Sequence, residues 1–348
     1  VIFREGGRLV PTIDSTLIPV SIAQQIIAIA SQASVCLQLG QRQPMPSGIV
    51  NVPFLKTLPA SGWVNGVGGR KPSTSIEWSS DTITTEEVAA VLAVPQATLD
   101  DSGIPIWPNV QTAIADAVAY SVDSAILFGD NAPPSFMAGG VFGAGTAVAP
   151  GPARVVHTAT TDPPDLAQAI LAAEADVEDN GLMSTGYAAD IAVSSRLRGL
   201  RDTVGQPIFV PNLAADQPPT LWGDPLQFSK SGAFDHAKAD VIAGAWNMLI
   251  IGVRQDLTFD MSTEGVITDS AGAVLVNAFQ DDQVLMRVHM RLGYVVGQPV
   301  SRRTGSTVFP FGFAAYTGTG VLAEGAEPEP ETGASGGNGG ARTKTAAK

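Results

Sequence analysis

The sequence predicts an α+β protein in which extended strands surround one long helix and one mixed subdomain. Three observations carry that prediction. Glycine (37) and proline (25) are abundant, which favours turns and extended segments over a helical bundle. The apolar positions Ile106, Val110, Ile114, Ala117, Val118, Val122, Ala125 and Ile126 recur at spacings of three and four, the period of a helix face. The run "QVLMRVHMRLGYVV" (283–296) alternates with period two, placing Leu285, Arg287, His289 and Arg291 on one face and Met286, Val288, Met290 and Leu292 on the other. At 348 residues the chain is too long for one simple core, so two or more subdomains are expected.

Residues 1–18 carry Gly6, Gly7 and Pro11 without a sustained period and read as an extended arm. From Pro19, the set Ile22, Ile26, Ile27 and Ala30 falls at helical spacing, with proline at the helix start. "SVCLQLG" (34–40) reads as a strand. Two extended stretches, 47–58 and 72–85, flank a glycine-rich tip, "GWVNGVGGRKPS" (62–73), and form a long hairpin. Pro53 makes the first an edge strand, because proline cannot donate to a ladder. Such a hairpin has little apolar mass of its own and must lie on something. A strand at 87–96 precedes the long helix, whose start is marked by Asp101, Ser102, Pro105 and Pro108 and whose stop is Gly129. Its length is roughly 33 Å at about 1.5 Å per residue.

Residues 131–152 are rich in glycine, alanine and proline and read as a loop or boundary. A helix is expected at 164–181, stopped by Gly181, then a buried strand at 190–195 and a short helix at 196–205. "DVIAGAW", "MLIIGVR" and "LTFDMS" read as three further strands. From Ala323 the chain is low-complexity, acidic and then basic, and cannot bury a core.

Composition restricts function. Hydrophobic residues make up 45% and charged residues 15%, with mean hydropathy +0.17, so some apolar surface is available for contacts with other chains. The net charge of −13 argues against tight nucleic-acid binding, which draws on Lys and Arg clusters. Cys36 is the only cysteine, which excludes a disulfide framework and a cysteine-based metal knuckle. The apolar run 17–30 is interrupted by Ser21, Gln24 and Gln25 and is too short to span a bilayer; an amphipathic surface helix explains it better than a secretory segment. Val1 is compatible with methionine removal and with cleavage of a propeptide.

The glycine-rich tip is the one stretch with the vocabulary of a phosphate loop. A Walker A loop reads G-x-x-x-x-G-K-S/T and opens a helix, whereas here Gly69 is followed by Arg70, Lys71 and Pro72 and then by strand-like residues. The dinucleotide fingerprint fails as well, because Lys71 occupies its final glycine position. A nucleotide-dependent enzyme using this loop is therefore the weak alternative. His157, His236 and His289 show no ligand spacing. Asp281 and Asp282 are adjacent and point to opposite faces of a strand, which makes them poor partners for acid–base work. No catalytic residue, cofactor or metal is expected. The candidates for function are contacts between copies: Trp63, Arg70, Lys71 and Trp78 on the hairpin, and Arg287 and Arg291 on the late strand.

The ordered stretches "LIPVSIAQQII", "MPSG…VPFL", "GWVNGVGGRKP", "LDDSGIPIWPNV…AIADAVAYSVDSAILFGD", "GLRDTVGQPIF", "IIGVRQDLTFDMS" and "QDDQVLMRVHMRLGYVVGQPV" resemble the major capsid proteins of tailed bacteriophages, with the Hong Kong 97-type fold. The resemblance runs from about Leu17 to Val300. It implies an N-terminal arm (1–40), an extended loop lying across an adjacent subunit (41–84), and a peripheral domain with a spine helix (85–130). It further implies an axial domain (131–280), a return strand and C-terminal segment (281–322), and a tail (323–348). Copies would assemble as pentamers and hexamers in an icosahedral virion shell that encloses double-stranded DNA without sequence-specific binding. The shell would form in the host cytoplasm, with a decoration protein, portal and scaffold as conceivable partners. An encapsulin-type compartment shell is the alternative within the fold. Some members of the family crosslink a loop lysine to an asparagine with a glutamate as catalyst. Lys56 and Lys71 are available here, but Asp282 and His289 stand where the acceptor and catalyst fall, so no crosslink is implied.

Overall fold

The computed structural model describes residues 33–64, 69–71, 73–97, 106–147, 156–159, 166–200, 206, 209, 219–269 and 271–316. The arm before residue 33, the centre of the glycine tip, the expected cap residues of the long helix and the tail lie outside them.

The described chain opens with helix α1 (Val35–Leu39) and strand β1 (Gln41–Pro44), then the hairpin strands β2 (Ile49–Thr57) and β3 (Glu77–Thr84) and strand β4 (Glu86–Pro95). The spine helix α2 (Ile106–Phe128) and α3 (Gly140–Ala147) follow. After them come β5 (Val156–Ala159), α4 (Leu166–Asp179), β6 (Gly186–Asp190), α5 (Ile191–Gly199), β7 (Thr220–Leu221), β8 (Asp224–Ser229) and β9 (Val241–Gly244). The last strands are β10 (Leu249–Ser262), β11 (Val266–Thr268), β12 (Val274–Asn277), β13 (Gln283–Val296) and β14 (Phe311–Tyr316).

Two sheets organise these elements. One has four strands in the order β1-β10-β13-β4; the other has six in the order β5-β14-β9-β6-β8-β7. The strands cross the division expected at residue 280. β10 lies beside β13 in the four-stranded sheet, and β14 lies between β5 and β9 in the six-stranded one. The alternation read in 283–296 holds over 286–292 of β13, where Met286, Val288, Met290 and Leu292 are buried beneath exposed Arg287, whereas Leu285 on the opposite face and residues 293–296 are buried as well. "MLIIGVR" and "LTFDMS" are one strand: β10 runs through both, and two register shifts against β13 absorb the irregularity between them.

The spine helix buries Ile114, Val118, Val122, Ala125 and Ile126 as its spacing implies, and Ala115 and Ala119 with them. Ala117 belongs to the other side and is exposed. The helix packs into the main core, which continues through Trp246, Phe311 and Phe313 to Met286 and Met290. A second core lies between α4, α5 and the six-stranded sheet.

Four expectations are corrected by local chemistry. Residues 34–40 form a helix rather than a strand, because Ser34 caps it by accepting the Leu37 N–H, while the Asp123 carboxylate takes the N–H groups of Val35 and Cys36. The stretch 190–195 is not a strand. The strand ends at Asp190, whose side chain accepts the Ala192 N–H and starts α5. The 131–152 stretch is not all loop, since it contains α3. Gly129, Gly139 and Gly140 all have positive φ, and a Cβ on Gly140 would sit 2.6 Å from Ile126 O, so only glycine lets α3 turn back onto the spine helix. There Phe142 packs edge-on against Phe313, with ring centroids 5.0 Å apart. The returning hairpin strand begins at Glu77, five residues later than Pro72 suggests.

Candidate inter-subunit surface

The hairpin is built as expected, with β2 and β3 antiparallel and Ile49 opposite Thr84 at its base. The two strands form a sheet of their own and, among the described residues, pair with no third strand. Only the base is tied to a core: Ile83 is buried with Met45 and Val295. Farther out, Asn51 and Thr82 share a side-chain hydrogen bond of 2.9 Å, and Ala60 N–H donates to Thr74 Oγ1 at 2.9 Å. Lys56 and Glu77 are 4.0 Å apart, both exposed, a pairing of little energetic weight. The Arg302 guanidinium donates to Pro59 O at 2.9 Å and links the outer hairpin to the body.

The sequence-selected residues sit on this arm of the molecule. Trp63 is fully exposed, Trp78 is 67% exposed, and Ile49 and Ile76 add further exposed apolar surface. Arg70 and Lys71 lie beside them in the solvent. Residues 73–76 after Lys71 are irregular and lead into β3, so among the described residues no helix opens after it.

The second candidate face is different. Arg287 is held by Asp260 of the neighbouring strand at 2.6 Å, and this pairing raises its already high pKa. His289 meets Thr258 Oγ1 at 2.8 Å. Arg291 is half-buried and opposite Glu87 in the β13–β4 register. The face thus carries its own counter-charges. His157 pairs with Asp176 at 2.8 Å and His236 with Asp240 at 2.7 Å, each in a separate place. Asp281 accepts the Asn277 N–H, and Asp282 occupies a turn at φ 48°. Among the described residues no cluster of His, Cys, Asp or Glu is arranged to hold a metal, and no helix is long and apolar enough to cross a membrane.

One important residue escaped the sequence reading. Asp123 is 0% exposed and accepts three hydrogen bonds, from Ser34 Oγ (2.7 Å), Val35 N–H (2.9 Å) and Cys36 N–H (3.1 Å). Burial pushes its carboxyl pKa up, and the three donors pull it only part of the way back. The available signal was its position four residues after buried Ala119, an acid within an apolar arc.

Comparison with known proteins places this architecture. The profile of the phage capsid family matches residues 15–301. Among curated proteins no sequence matches. A solved structure from Mycobacterium phage Adephagia is 23% identical, covering 82% of this chain and 90% of its own, with a TM-score of 0.69. One from Mycobacterium phage Cain is 26% identical, covering 82% and 90%, with a TM-score of 0.66. One from Microbacterium phage Oxtober96 is 24% identical, covering 91% and 96%, with a TM-score of 0.67. With most of its length matched and its two-sheet architecture shared, the chain belongs to the phage capsid family and is a major capsid protein of Hong Kong 97-type fold.

Proposed function

We propose that the β2–β3 hairpin is the principal contact between copies in the shell, with Trp63, Trp78, Arg70 and Lys71 making it. The supporting observation is the exposure of two tryptophans on a hairpin that has almost no core, Trp78 on β3 and Trp63 in the loop beyond β2. Burying such surface against a second copy removes apolar area from water and stabilises the hairpin at the same time. Arg287 and Arg291 are secondary contributors, because Asp260 and Glu87 of the same chain stand beside or opposite them. On this reading the units are an arm, the hairpin, a peripheral layer around the spine helix and four-stranded sheet, and an axial layer around the six-stranded sheet.

Copies assemble as pentamers and hexamers into a closed shell that forms in the host cytoplasm and encloses double-stranded DNA. The protein acts by architecture and not as an enzyme. An acidic inner container that does not grip phosphate suits packing and release. The test is Trp63→Ala combined with Trp78→Ala, followed by electron microscopy and sedimentation. Folded subunits that no longer form particles are the expected result; normal particles would sink the reading. Nuclease-protected DNA in wild-type particles tests the cargo. A denaturing gel of the same particles is expected to show single chains, and a ladder of covalent multimers would refute the absence of a crosslink.

A further inference from the structure

A groove of about 910 Å³ separates the spine helix from strand β8. One wall is Asp116, Ala117, Tyr120 and Ser121, which share a helix face by spacing. Leu226 and Phe228 form part of the other. On this helix face Ala117 is exposed and Tyr120 44% exposed, beside exposed Asp116 and half-buried Ser121, whereas Ile114, Val118, Val122 and Ile126 are buried in the core. Helix α1 packs against both α2 and β8. Its position is pinned by the three hydrogen bonds from residues 34–36 to Asp123. The first described residue, Ala33, is helical and lines the groove.

We propose that residues 19–32 of the same chain occupy this groove as a helix, bracing the spine helix against the six-stranded sheet. Three arguments select this occupant. The segment joins the groove without a linker, since Ala33 already lines it and Val35 is fixed two residues later. A tethered segment therefore outcompetes the same segment from another copy by effective concentration. The segment has a matching surface: Ile22, Ile26, Ile27 and Ala30 form one stripe, to be set against Ala117, Tyr120 and Phe228. It also contains no charged residue, so it brings no charge of its own into the groove, whose charged residues are Asp116 and Lys230. Fourteen helical residues extend about 21 Å, enough to run along the exposed spine face.

The test is disulfide trapping in the full-length chain, where the only native thiol, Cys36, is buried. Ala117→Cys is paired in turn with Ile26→Cys, Ile27→Cys and, as an outward-facing control, Gln24→Cys. A disulfide within one chain is expected for at least one isoleucine position and not for the control. A disulfide between chains would assign the groove to a second copy's arm, and equal trapping at all positions, or none, would assign it to nothing. Each of those results overturns the proposal. Amide exchange supplies a second readout: Ala117→Arg should speed exchange over residues 20–32 by about 10-fold or more while leaving β6 protected. Unchanged exchange in that segment overturns the proposal too. Neither readout depends on the contacts between copies proposed above.

Discussion

Strand β6 and strand β2 are both extended, yet they live in opposite conditions. All five residues of β6 are buried, between β9 and β8 and beneath α4 and α5. None of the nine residues of β2 is buried, and its one partner is β3. The first strand is stabilised by its own chain. The second holds its register by backbone hydrogen bonds and a small core at its base, and the hairpin it belongs to exposes Trp63 and Trp78 to solvent. The difference separates residues that maintain the subunit from residues proposed to connect subunits, and it makes the two sets testable apart.

The largest effect belongs to the buried side. Trp246 is almost fully buried, stacks edge-on against Phe311 at 5.0 Å and donates from its indole N–H to Gly186 O at 3.0 Å. Trp246→Ala is expected to cost about 3–5 kcal/mol in urea unfolding of the unassembled subunit. A loss no larger than that of a surface change would erase the contrast. A middle effect is expected at Asp123. Its folded-state pKa is raised, so the folded chain holds the proton more tightly than the unfolded chain. The associated stability is complete below the ordinary aspartate value of about 3.9 and is lost as pH rises through the raised one. Asp123→Asn should therefore make the fall in the urea midpoint with rising pH shallower; an unaltered slope would show that the carboxyl does not titrate as its burial implies.

On the hairpin side the effect on the subunit should be smallest. Trp63→Ala and Trp78→Ala are each expected to shift subunit stability by no more than about 0.5 kcal/mol, although their combination abolishes assembly. A large destabilisation of the free subunit would mean that the tryptophans support their own chain.

Much of this contrast was legible in the sequence, and its limits are physical. The spine helix and β13 were readable because each has one buried face and a long, unbroken period. The hairpin was readable because proline, β-branched residues and glycines mark its parts in order. Helices α1 and α5 were misread because five or nine residues carry too little periodicity, and their starts depend on single side-chain caps, Ser34 and Asp190. α3 was hidden in a glycine-rich run, where Val141 and Phe142 were the sole apolar signal and their partners lie far away in sequence. The contact candidates at the hairpin tip were visible as exposed types in an extended setting. Asp123 was not, because its value lies in backbone groups about 88 residues away in sequence, which no local pattern reports.

The join between the two sheets has a mechanical meaning. β9 and β10 are consecutive and separated only by residues 245–248, with Trp246 plugged into the main core at the turn. A force pressing outward on one sheet is transmitted directly to the other through a joint filled by an indole ring and without slack. Densely packed interiors deform little before they break. Pressure from the contents of the shell should therefore be accommodated first by flexing of the two-stranded hairpins proposed to join subunits, with each subunit body moving as a stiff tile.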